Sequence, residues 1–123
     1  MNSSVWMIAL AVLAVFILLK QLGQARAGVV KQLRAEGGRV IDVRTASEFA
    51  AGHLPDAINV PLGELSERIA SVAPDKTQPL LLHCASGARS AAAAKILKDL
   101  GYTRAVNAGS YSRARALLNA PDR

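Results

Sequence analysis

The sequence predicts an α/β domain with a parallel sheet and helices on both faces, preceded by one transmembrane helix. Three observations predict it. From residue 29 onward, short strand-like runs alternate with helical stretches, and crossover helices of that kind build a parallel sheet. The run Pro79 to His83 (PLLLH) is the most apolar of the strand-like runs, as expected for a strand buried at the centre of such a sheet. Val5 to Leu19 is an unbroken apolar run of fifteen residues, and residues 1–19 carry no charged side chain.

The N-terminal run lies between the length of a signal-peptide hydrophobic region and a full span of about 20 residues. The uncharged Met1 to Ser4 bring it close to spanning length, and a short helix can thin the bilayer or snorkel Lys20. No face of the run is polar, so a core helix of a small domain is a poor fit. An uncleaved single-pass anchor fits best, because a basic region before the run is missing. The alternative is export after signal cleavage near Ala27, in the small-x-small pattern Ala25-Arg26-Ala27. Lys20, Arg26, Lys31 and Arg34 precede the first acid, Glu36. The positive-inside rule then places the domain in the cytoplasm. The chain divides into an anchor at 1–20, a tether at 21–28 and one domain at 29–123.

Within the domain, Val29 to Glu36 has apolar residues at 29, 30 and 33 and stops at Gly37-Gly38, a short helix with a glycine end. Arg39 to Val43 (RVIDV) is a buried strand bounded by glycine. Thr45 or Ser47 caps a short helical turn through Glu48 to Ala51, which Gly52 ends. Ala57 to Val60 is a second strand, stopped by Pro61. Gly63 to Val72 sets Leu65, Ile69 and Val72 on one face of an amphipathic helix. After the turn at Pro74-Asp75 comes the central strand Pro79 to His83. The small-residue loop 84–89 leads into a helix from Ser90 to Leu100, closed by Gly101. Tyr102 to Val106 is the next strand and Tyr111 to Leu118 the last helix.

Fifteen Lys and Arg against nine Asp and Glu give a formal charge of +6. Such a balance suits nucleic acid, anionic lipid or small anionic substrates. Nucleic acid is not expected as a partner: zinc-ligand spacing is lacking and the five aromatics are too scattered to form a stacking platform. The one cysteine allows neither an intramolecular disulfide nor a Cys-based metal site.

A lone cysteine is by default a small buried apolar residue, but Cys84 has local context. It ends the central strand, and ligands of parallel sheets bind outside the carboxyl ends of the strands. The backbone N–H groups of Ala85, Ser86, Gly87, Ala88, Arg89 and Ser90, with the positive end of the following helix, form an anion cradle. The same field favours thiolate over thiol. Gly87 lets the backbone turn inward, Arg89 offers a planar charged fork to an oxyanion, and Ser90 stands where it can cap the helix.

Two motifs then make the chain resemble the rhodanese family of sulfurtransferases. The first, Ile41 to Leu62 (IDVRTASEFAAGHLPDAINVPL), is similar to the family pattern of Asp-x-Arg, Glu-Phe, Gly-His, Ala-x-Asn and Pro-Leu. The second, HCASGARS, matches the Cys-x-x-Gly-x-Arg active loop. The resemblance covers roughly residues 29 to 120. It implies a five-stranded parallel sheet flanked by helices, with Cys84 taking sulfane sulfur from a donor such as thiosulfate or a persulfide. The resulting Cys84 persulfide passes its sulfur to cyanide, a thiol or a protein acceptor. It also implies that residues 85–90 hold the persulfide and the donor, and that Asp42 and Arg44 brace the loop by hydrogen bonds and a charge pair. Glu48 and His53 are read as scaffold. No cofactor and no metal are implied.

Cys-based phosphatases on this fold place five residues between cysteine and arginine, whereas Ala85, Ser86, Gly87 and Ala88 are the four here. The tighter loop suits sulfur. The match departs from the pattern in three places. No edge strand is evident before residue 29. Asn107-Ala108-Gly109-Ser110-Tyr111 keeps one glycine and no tryptophan where paired glycines and a tryptophan are common. Ala85 and Ser86 replace the basic residues of some thiosulfate users, which points to a persulfide donor. The rival reading is a non-catalytic rhodanese-like binding module at the membrane.

Overall fold

The computed structural model describes residues 2–118. Helix α1 (Ser3–Ala35) runs without a break from the apolar segment into the domain. The segment expected as a tether, 21–28, and the short helix expected at Val29 to Glu36 are therefore parts of one helix. Gly23 and Gly28 are poor helix formers, but Val30 and Leu33 are buried against the sheet, and that packing stabilises the last turns of the helix. Gly38 comes three residues after the end of the helix. A Cβ on Gly38 would meet the Leu33 carbonyl oxygen at 2.6 Å, so the tight reversal from helix to strand requires glycine there.

The strands are β1 (Arg39–Asp42), β2 (Ile58–Asn59), β3 (Leu80–Cys84) and β4 (Ala105–Ser110). They form one parallel sheet in the order β2-β1-β3-β4. The described residues thus form four strands, not the five that the family resemblance implied. Residues 3–28 are helical, so among the described residues no strand precedes β1.

The crossovers are α2 (Ala46–Ala51), a 3₁₀ turn (Leu62–Glu64) running into α3 (Leu65–Val72), and α4 (Ala88–Asp99); α5 (Tyr111–Leu118) follows β4. Thr45 caps α2 in a reciprocal capping box with Glu48.

Side chains alternate across the sheet, and the core is accordingly split into two layers. Ile41, Val43, Leu80, Leu82 and Cys84 pack with Leu65, Ile69, Ala93 and Leu97 from α3 and α4. Val40 and Leu81 pack on the other side with Val30 and Leu33 of α1 and Ala114 of α5. All five residues of β3 are buried, as expected for the central strand.

The last strand departs most from expectation. It was expected at Tyr102 to Val106 but occupies Ala105–Ser110. Tyr102 instead turns inward, where its hydroxyl donates to the Ala73 carbonyl at 2.6 Å. Pairing with β3 draws Gly109 and Ser110 into the sheet, with a bulge opposite Leu82 and His83.

Candidate active site

Cys84 is the last residue of β3, and its neighbours are set by the turn that follows. Gly87 precedes α4 with φ of +101°, a left-handed conformation that glycine adopts without penalty. An added Cβ would lie 3.5 Å from the Gly109 backbone, an ordinary contact. Gly87 is therefore required by its backbone angle and not by a clash. Its conformation aims backbone donors at the sulfur: the Gly87 N–H reaches Cys84 Sγ at 3.0 Å and the Ser90 N–H at 3.4 Å.

Ser90 does not cap α4; Gly87 occupies that position. Ser90 lies in the first turn, wholly buried. Its Oγ is 2.7 Å from Asn107 Oδ1, 3.1 Å from the Gly87 carbonyl and 3.5 Å from Cys84 Sγ. Asn107 Oδ1 also accepts the Gly109 N–H at 2.8 Å, and Asn107 Nδ2 donates to the Gly87 carbonyl at 3.3 Å. Asn107 on β4 thereby ties the loop to the neighbouring strand. Strand position alone did not single it out.

Burial pushes the Cys84 thiol up, since the residue has 0 % exposed surface. The Ser90 hydroxyl, then the Ser90, Gly87 and Ser86 N–H groups, pull it down, and the net shift is downward from 9.0. The hydroxyl has one hydrogen, and its shortest acceptor is Asn107. Ionisation of the thiol gives it reason to turn to sulfur. Ser90→Ala is expected to raise the pH midpoint of Cys84 alkylation by iodoacetamide, with the fold intact by circular dichroism. An unchanged midpoint would remove the hydroxyl from this account.

Arg89 meets Glu48 across 41 residues of sequence, with Nη1 to Oε1 at 2.7 Å and Nη2 to Oε2 at 2.9 Å. The fork expected to face an oxyanion is engaged by a carboxylate. Glu48, read as scaffold, thus joins the capping of α2 to the active loop. The Arg89 hydrogen bonds and those from Thr45 hold its carboxyl down at about 2, against the usual 4.5. A depressed carboxyl contributes stability that is present above its unfolded value and lost as pH falls through about 2. The Glu48 carboxyl should therefore titrate near 2 by NMR, and Arg89→Met should move that midpoint back toward 4.5.

Asp42 and Arg44 form a buried ion pair. Arg44 Nη2 lies 2.7 Å from Asp42 Oδ2, and its Nε and backbone N–H reach Oδ1 at 3.0 Å. Arg44 also donates to the Gly52 carbonyl at 2.7 Å, and its guanidinium lies 4.7 Å from the centre of the Tyr111 ring. Buried His83 joins them, with Nε2 3.6 Å from Asp42 Oδ2. Burial lowers the His83 pKa despite that carboxylate, so the ring is neutral near pH 7. Alternation sends Asp42 and His83 to the α5 face and Cys84 to the α4 face. The cluster fastens the ends of β1 and β3 to α5 from behind the loop. His53 stacks on Phe49 with ring centres 3.8 Å apart, and its Nδ1 lies 3.0 Å from the Phe49 carbonyl. Among the described residues, no cluster of three His, Cys, Asp or Glu side chains could hold a metal ion.

A strand ending in cysteine, a three-residue turn at 85–87 and a helix, with the Gly87 and Ser90 N–H groups converging on the sulfur, agree with what similarity shows. Residues 26–115 match the rhodanese-like domain family. The chain belongs to the rhodanese family of sulfurtransferases. It is 44 % identical over 69 residues to the thiosulfate sulfurtransferase PspE of Escherichia coli, covering 56 % of this chain and 66 % of that protein, just under two thirds of its length. It is 34 % identical over 96 residues to the human thiosulfate:glutathione sulfurtransferase, covering 67 % of this chain and 84 % of that protein. An E. coli rhodanese solved with anions superposes with a TM-score of 0.64 at 36 % identity, over 70 % of this chain and 96 % of the other. The human single-domain sulfurtransferase TSTD1 gives 0.59 at 33 % identity, over 69 % and 88 %. The family fold accounts for the parallel sheet and places Cys84 at its carboxyl edge. Helix α1 is the one element, among the described residues, long and apolar enough to cross a membrane by length and composition.

Proposed function

We propose that this rhodanese is a membrane-anchored sulfurtransferase that carries sulfane sulfur as a persulfide on Cys84. The observation that carries the reading is the convergence of the Gly87 and Ser90 N–H groups on one sulfur, at 3.0 and 3.4 Å. Donors fixed on a sulfur stabilise the thiolate before reaction and again when it departs. In the first step the Cys84 thiolate attacks the sulfane sulfur of the donor. The donor's S–S bond breaks, its remaining fragment leaves with the electron pair, and Cys84 becomes Cys–S–S⁻. In the second step an acceptor thiolate attacks the outer sulfur, and Cys84 leaves again as thiolate. Residues 85–90 hold donor and persulfide in this scheme, with Asp42 and Arg44 in support. Neither step calls for a metal or cofactor.

The donor we assign is a persulfide of low molecular weight or on a protein, ahead of thiosulfate. Ala85 and Ser86 bring no charge to the loop, and the Arg89 fork is held by Glu48, so little positive charge is left to recruit a dianion. The relatives named for thiosulfate make it the right comparison. The anchor is residues 1–20 and the domain faces the cytoplasm, supported by the apolar segment and the basic residues that follow it.

The test is intact mass of the protein after exposure to each donor. A gain of about 32 Da on Cys84, formed with higher second-order efficiency from glutathione persulfide than from thiosulfate, is the expected result. Absence of any Cys84 adduct from either donor would overturn the enzymatic reading and favour a binding module.

A further inference from the structure

The course of the chain fixes which end of the domain faces the apolar segment. After α1 the chain reverses within Glu36 to Gly38, where the Gly38 N–H bonds the Leu33 carbonyl at 2.8 Å, and β1 begins at Arg39. β1 therefore runs back along α1 toward its N-terminus, and the other strands are parallel to it. Contacts along β4 confirm the direction. Val106 and Asn107 line a groove with Arg26, Val29 and Val30. Arg113, just beyond the end of β4, donates to the carbonyl of Gly23 at 3.3 Å. Ala116 and Leu117 border a second groove with Leu19 and Lys20. Moving forward from β4 is moving down α1 toward the apolar run.

Cys84 is in register with Ser110 at the end of β4, so the active loop lies on this same edge. The edge is level with about Gly23, four residues beyond Leu19. At 1.5 Å per residue the offset is roughly 6 Å. The headgroup layer outside the hydrocarbon core is itself about 5–7 Å thick on each side. What this edge presents suits that layer. Ala85, Ser86 and Ala88 are exposed, small and uncharged, and Lys20 and Arg113 are exposed cations. Glu48 at the same edge is engaged by Arg89.

We propose that the active loop faces the bilayer, with Lys20 and Arg113 seated among anionic lipid headgroups, so that sulfur enters and leaves Cys84 at the membrane interface. The proposal rests on the reading of residues 5–19 as a membrane anchor, and it holds on either side of the membrane. The unbroken helix is what makes it specific, since a flexible tether would leave the domain free to turn. Partners that reside at the interface, or that are small enough to enter the headgroup layer, are the ones this orientation admits.

The experiment uses the full chain in vesicles of phosphatidylcholine and phosphatidylglycerol containing a nitroxide-headgroup lipid. In a Cys84→Ser background, one fluorophore is attached through Ser86→Cys on the active loop, or through Thr77→Cys at the opposite edge of the sheet. Flotation with the vesicles comes first, and failure to float would overturn the anchor reading and this proposal together. With floating protein, the expected result is quenching several-fold stronger at position 86 than at 77. Equal quenching, or stronger quenching at 77, would overturn the orientation while leaving the anchor reading intact. In vesicles of phosphatidylcholine alone the difference should shrink; an unchanged difference would overturn the role of anionic headgroups. In the unmodified chain, amide hydrogen exchange at residues 85–88 should slow on transfer from detergent to bilayer, with no change at 74–78. Unchanged exchange at 85–88 would contradict the proposal independently of the labelled variants.

Discussion

Cys84→Ser should abolish sulfur transfer, with the rate to any acceptor falling at least about a thousandfold, because removing a covalent nucleophile removes both half-reactions at once. Serine keeps the size of the side chain within the two convergent N–H groups, so the fold should persist. A hydroxyl near neutral pH is almost wholly protonated and is a poor acceptor of sulfane sulfur. Steady-state transfer from glutathione persulfide to a thiol, read beside intact mass, tests this. The variant should show neither turnover nor the added sulfur. Residual transfer above about a thousandth of the wild-type rate would mean that the sulfur travels by another route, since Cys84 is the chain's single thiol.

Asp42→Ala should be the most destabilising single change at the site, costing about 3–5 kcal/mol, because it leaves Arg44 as a buried charge without its partner. Asp42 has no exposed surface and Arg44 only 8 %. The carboxylate meets the Arg44 guanidinium and backbone N–H and faces the ring of His83. Thermal unfolding should shift down by more than about 10 °C, given the few degrees per kcal/mol usual for a domain of this size. Replacing both residues, Asp42→Leu with Arg44→Leu, should recover part of that loss, since a buried pair is often matched by apolar groups of similar volume. If Asp42→Ala alone leaves the midpoint unchanged, the cluster behind the loop is not what holds the ends of β1 and β3. A double variant no better than the single one would instead place the cost in backbone contacts such as the Asn59 amide, which binds the Asp42 and Arg44 carbonyls at 3.0 and 2.9 Å.

Much of the fold was legible because its signals are local. PLLLH reads as a central strand from apolar content alone, and β3 is buried along its whole length. Thr45 and Glu48 are three apart, the spacing of a capping box, and α2 has that box. The last helix falls on Tyr111–Leu118 as expected. Misplaced elements are those that a distant partner decides. Tyr102 has a strand-forming side chain but turns into the core to reach Ala73, while Gly109 and Ser110, weak strand formers, are held in β4 by β3. Continuity of α1 across Gly23 and Gly28 likewise depends on burial of Val30 and Leu33, a stabilisation that helix propensity does not contain.

For the active loop the division is sharper. The spacing of Cys84, Gly87 and Arg89 was legible as part of the resemblance to the rhodanese family, which residues 26–115 match, because loop size is a property of consecutive residues. The apolar run was enough to mark a helix long and apolar enough to cross a membrane. Tertiary structure decided how those residues are used. It turned the Arg89 fork to Glu48, 41 positions away. It removed Ser90 from the cap and set it against Asn107, and it placed the loop at the edge of the sheet nearest the apolar end of α1. Each of these depends on strand order and register, which bring together side chains that no local pattern relates. The chemistry of Cys84 is written in its neighbours along the chain, and its surroundings are written in the packing.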